Sequence, residues 1–71
     1  MNKLAKIKLV TSAAKLTCFI RGQHEQGISP SAQDLENITN AIDDYHAYGL
    51  HGSANMIDDA MVQWSGLLLN A

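Results

Sequence analysis

The densest grouping of side chains able to do chemistry is Asp43-Asp44-Tyr45-His46, followed by His51 and, further on, Asp58-Asp59. Imidazole with carboxylate suits zinc or another divalent ion, and one turn between two helices could gather these residues. The spacing argues against a ligand set. There is no HExxH and no paired CxxC, and His46 and His51 straddle a glycine instead of sharing a helical face. Aspartates and a histidine at helix ends also serve ordinary dipole and solvation roles. Cys18 stands on an apolar helical stripe, where a small buried thiol is the default and a thiol nucleophile is not expected. Gly22 and Gly27 lie in neither a GxxxxGK[ST] nor a GxGxxG context, so no phosphate loop forms. The expectation is a protein with no catalytic residue, no metal and no cofactor.

What the chain has instead is a division of charge. All five basic side chains (Lys3, Lys6, Lys8, Lys15 and Arg21) fall within residues 1–21. All seven acids (Glu25, Asp34, Glu36, Asp43, Asp44, Asp58 and Asp59) follow them, for a net charge of −2. Such fields act on partners and association rates, not on fold. The acidic body repels nucleic acid and attracts basic protein surfaces. Glu36, Asp43, Asp44, Tyr48, Asp58 and Asp59 are the expected partner-binding residues, with Trp64, Leu67 and Leu69 as an apolar interface. At helical spacing from Ala60, Met61 and Leu68, Trp64 reads first as core. Lys3, Lys6 and Lys8 sit where the dipole of a first helix disfavours cations. They are expected to be solvated or paired with later acids, with a phosphate or anionic-membrane contact, or an acidic protein patch, as the alternatives.

Seventy-one residues allow one domain, near the size where a single core is only just sufficient. A hydrophobic share of 46% is globular, but 17% charged residues cannot cover so small a protein, so some apolar surface must face outward. Self-association as a homodimer, or a protein partner, is the expected remedy. The single Cys18 excludes an internal disulfide and fits a reducing compartment. Residues 1–21 resemble a signal peptide only faintly, since Lys15 interrupts the apolar stretch and no small-x-small site follows. No apolar run approaches the roughly 18 residues of a membrane span. A cytoplasmic protein without a membrane partner is expected.

Three helices account for the pattern. Residues 3–21 carry two apolar stripes, one of Leu4, Ile7, Ala14 and Cys18, the other of Leu9, Ala13, Leu16 and Ile20. That predicts a first helix packed between the other two, or one whose second stripe meets a dimer partner or target. Gly22 and Gly27 bracket a polar linker. A second helix over 31–48 is capped by Ser29 with Pro30, or by Ser31 with Asp34. Its apolar stripe is Leu35, Ile38, Ile42 and Tyr45, and it ends at Gly49 with Leu50 as the accompanying contact. Ser53 or Asn55 caps a third helix over 54–69, placing Asp58 and Asp59 in its first turn. Leu67, Leu68 and Leu69 cannot all point inward on one helix. The fold expected is all-α, a compact three-helix domain over 1–71 with a basic helix 1–21 and an acidic body 22–71.

The stretch from Phe19-Ile20-Arg21 through Gly27-Ile28-Ser29-Pro30-Ser31 to Leu35 resembles the first two helices of LexA-type winged helices. That resemblance implies a groove-facing helix at residues 53–64. The segment carries Asp58 and Asp59 with no Lys or Arg, and phosphate contacts dominate DNA affinity. Nucleic acid is therefore expected only at Lys3–Arg21. The expected function is a small non-enzymatic protein-binding module. Inhibitors and adaptors of this design are common among phages and mobile elements, which use them against host or defence proteins. Covering a basic groove, as a DNA mimic does, is one concrete mechanism. The alternatives are a DNA-associated regulator using the basic first helix and a self-associating structural subunit.

Overall fold

Asn2 starts the first helix, its side chain accepting the Ala5 N–H at 2.8 Å. The computed structural model describes residues 1–69: α1 Lys3–Glu25, α2 Ala32–Ala47, α3 His51–Ser65 and a 3-10 turn at Gly66–Leu68. Among the described residues there is no strand, so the chain is an all-α three-helix domain.

Helix α1 runs through Gly22 to Glu25, which corrects the expected linker. One helical glycine costs only about 1 kcal/mol against alanine. Thr17 and Ile20 are buried, and Gln23 and His24 half-buried, so tertiary contact carries the helix past that cost. It ends one turn later in a Schellman motif. Gly27, at φ 72°, donates to His24 O at 3.0 Å, and Ile28 N donates to Gln23 O at 3.0 Å.

For α2 the second capping alternative holds. Ser31 Oγ accepts from Asp34 N at 3.0 Å, and Asp34 Oδ2 accepts from Ser31 N at 2.9 Å, a reciprocal capping box. The helix closes as the sequence leads one to expect. Gly49, at φ 77°, donates to His46 O, Leu50 N donates to Tyr45 O, both at 2.9 Å, and Leu50 packs against the core.

Helix α3 begins at His51, earlier than expected, with neither Ser53 nor Asn55 as cap. The turn after α2 already sets the direction, and Leu50 O accepts the first helical bond from Ala54 N at 3.0 Å. Asp58 and Asp59 therefore lie in mid-helix, not in the first turn. The expected last turn to residue 69 tightens into the 3-10 segment, with Leu69 N on Gly66 O at 3.1 Å.

The middle position belongs to α3, which packs on both α1 and α2, and not to α1 as expected. The reason lies in side-chain size. Ala54 and Ala60 are buried on α3 and let its neighbours approach, while Ile57 and Trp64 fill the space between them. Ala13 and Ile20 meet them from α1, and Ile38, Ile42 and Tyr45 from α2. The Trp64 indole N–H donates to Ile28 O, and Phe19 stands edge-on to its ring at 6.3 Å and 85°. Buried Thr17 satisfies its hydroxyl on Ala13 O at 2.9 Å. The domain measures 44 × 19 × 17 Å because no residue of α1 before Ala13 is buried.

Burial, with the Tyr48 phenol beside it, pushes the Tyr45 hydroxyl above the ordinary tyrosine range. The folded state thus holds this proton more tightly than the unfolded chain does. Its contribution to stability is complete below about pH 10, where an unfolded tyrosine ionises, and is lost as pH rises beyond it. Urea titrations from pH 8 to 11 are expected to show this decline in the wild type and a shallower one in Tyr45→Phe. Parallel declines would remove Tyr45 as its source.

Candidate functional site

The side of α2 that carries Ile38, Ile42 and Tyr45 faces the core, which leaves Glu36, Asp43 and Asp44 exposed on the other sides. On α3 the buried residues are Ala54, Ile57, Ala60 and Trp64, and Asp58 and Asp59 face solvent. Val62, four residues after Asp58 and three after Asp59, is 61% exposed, so one helical surface presents an apolar centre beside two carboxylates. Val62 was missed by sequence reasoning. Its signal is its position off the Ile57–Ala60–Trp64 face. Tyr48, the C-cap of α2, is exposed as well.

Other expected site residues fall elsewhere. Trp64 is wholly buried and belongs to the core, not to an interface. Leu67 is half-buried against that core, and Leu68 and Leu69 are exposed, Leu69 at 88%. Asp34, expected only as a capping residue, is committed to the α2 capping box. Lys3, Lys6 and Lys8 face solvent, as one expected alternative had it, and among the described residues no cation pairs with a carboxylate, so the other, pairing with later acids, does not form. The Leu4, Ile7, Ala14 and Cys18 stripe is also bare, opposite the Leu9, Ala13, Leu16 and Ile20 stripe that packs inward. Cys18 is a free, exposed thiol, which corrects the buried reading.

His46 and His51, set apart by the sequence argument, meet in space. Their Nδ1 atoms lie 2.7 Å apart, with ring centroids at 5.0 Å. Asp43, Asp44, Asp58 and Asp59 do not join them, since no group of three or more potential ligands exists among the described residues. Nor does any pocket indent this part of the chain. What the acidic surfaces offer is hydrogen-bond acceptors around small apolar centres, a surface suited to guanidinium and ammonium groups. The chain matches no protein-family model, no curated protein and no solved structure.

Proposed function

We propose that this protein is a non-enzymatic binding module whose acidic faces on α2 and α3 dock on a basic surface of another protein. One observation carries the reading. Glu36, Asp43, Asp44, Asp58 and Asp59 are all exposed, and none has a cationic partner among the described residues. Like charges held on packed helices repel one another, and a basic partner relieves that repulsion. An inhibitor or adaptor of the kind mobile elements direct at host proteins, acting in the cytoplasm, fits such a surface. The exposed Cys18 thiol suits a reducing compartment. No helix among the described residues is long and apolar enough to cross a membrane. Affinity capture from the native cell, with wild type and a Glu36, Asp43, Asp44 triple lysine variant as baits, tests the reading. The wild type should retain a basic protein that the variant loses, and identical recoveries would defeat it. Nanomolar, sequence-dependent duplex binding at about 150 mM salt would defeat it too, in favour of a regulator using basic α1.

The bare stripe of α1 favours a second reading, self-association. Leu4 and Ile7 are 61% and 53% exposed among unpaired lysines, a surface complementary in charge to the Asp58–Val62 face of a second copy. Light scattering at micromolar concentration should then show a dimer. Ile7→Glu should shift it to monomer without loss of helicity, because Ile7 touches no core. A monomer throughout the wild-type series removes this reading.

A further inference from the structure

The end-on contact of His46 and His51 has no role in acidic docking, and both rings are exposed. We propose that the pair is a two-imidazole chelate for a borderline divalent metal ion, of the nickel and copper class. Imidazole nitrogen is the ligand these ions prefer.

The turn builds the site. His46 lies in the last turn of α2 and His51 is the first residue of α3. Between them the backbone is fixed by the Gly49 and Leu50 hydrogen bonds to His46 O and Tyr45 O, and Leu50 is anchored against the core. Both imidazoles thus stand on packed helices joined by a closed turn, and little chain entropy is lost in bringing them together.

Distance brings both nitrogens within reach of one ion. Two nitrogens each about 2.0 Å from one ion lie about 2.8 Å apart at a right angle and about 3.3 Å apart at the tetrahedral angle. The 2.7 Å contact of the metal-free pair is a hydrogen-bond length, and it places both Nδ1 atoms within reach of one ion once the rings turn. Without metal, one ring donates its Nδ1 proton to the other. On binding, a neutral donor ring moves that proton to its own Nε2 through water, and both Nδ1 lone pairs turn onto the ion by rotation about the exposed side-chain bonds. No further histidine, cysteine or carboxylate joins the pair among the described residues, so water completes the shell and the ion exchanges readily. The spacing of five residues hides such a pair from helical-face reasoning, which looks for three or four.

The test is calorimetric titration of the full chain with nickel chloride. Expected is saturable binding of one ion per chain, weakened at least tenfold by either His46→Gln or His51→Gln. His24→Gln and Cys18→Ser should leave it unchanged. Thermal melts add an independent readout, because an ion bridging α2 and α3 raises the wild-type midpoint and not that of either pair variant. Circular dichroism before titration shows that each variant is folded, as exposed positions lead one to expect. The proposal is overturned by absence of saturable binding to the folded wild type, by binding that survives loss of either histidine, or by binding that follows His24 or Cys18.

Discussion

Trp64→Ala is expected to abolish cooperative folding. The side chain is wholly buried and joins three parts of the chain: its own helix α3, Phe19 of α1 and the carbonyl of Ile28 in the turn before α2. Truncating a buried tryptophan costs about 3–5 kcal/mol. At about 0.05–0.15 kcal/mol per residue, a chain this short has a total stability of similar size. Thermal melts followed by circular dichroism should therefore show a broad, weakly cooperative loss of helix at 25 °C and above. Trp64→Phe separates the two contributions. It keeps most of the volume but removes the donor to Ile28 O, a part-buried hydrogen bond worth about 0.5–1.5 kcal/mol net, so a cooperative transition should persist at a lower midpoint. If Trp64→Ala unfolds cooperatively within a few degrees of wild type, the core is not organised around this residue.

Trp64 also marks where the sequence is legible and where it is not. Local signals named the helices well, because caps and apolar spacing act within a few residues. The Gly49–Leu50 closure and the Ile38, Ile42 and Tyr45 part of the α2 stripe stand as read, and of the two caps offered for α2 the Ser31–Asp34 box is the one that forms. Nonlocal competition is what escaped. Gly22 signals a break, yet packing at Ile20 and around His24 outweighs about 1 kcal/mol of propensity. Two stripes on α1 suggested a helix in the middle, but small buried alanines let α3 take that place and left Leu4 and Ile7 in solvent. Ser53 and Asn55 look like caps, and a turn already closed by Gly49 makes them unnecessary. The same turn brings His46 to His51, a pairing set by the tight closure and invisible to spacing rules for a single helix. For the acidic surface, exposure of Glu36, Asp43, Asp44, Asp58 and Asp59 agrees with the sequence, whereas Val62 emerges only once the buried face of α3 is known.

Reversing Glu36, Asp43 and Asp44 to lysine is expected to cost partner affinity roughly thirtyfold while stability stays nearly unchanged. The three positions are exposed on α2, away from Ile38, Ile42 and Tyr45, and none caps a helix or pairs with a cation among the described residues. Surface changes of this kind typically alter stability by less than about 0.5 kcal/mol. Against a basic partner the effect is of another order. Loss of a charge pair desolvated in an interface costs about 2 kcal/mol or more, which is the thirtyfold change. Charges that remain at the rim act mainly on encounter, so the association rate should fall and its dependence on salt should flatten. Stopped-flow or surface-binding kinetics at several ionic strengths, with thermal melts of the same samples, measure both. The single variants add a geometric test: an effect concentrated in Asp43 and Asp44 places the interface at the C-terminal half of α2, beside exposed Tyr48. If affinity, rate and salt dependence all match wild type, the acids of α2 only face solvent. The interface then belongs to Tyr48 and Leu69, or to the Asp58, Asp59 and Val62 face of α3, where Val62→Lys is the next variant to measure.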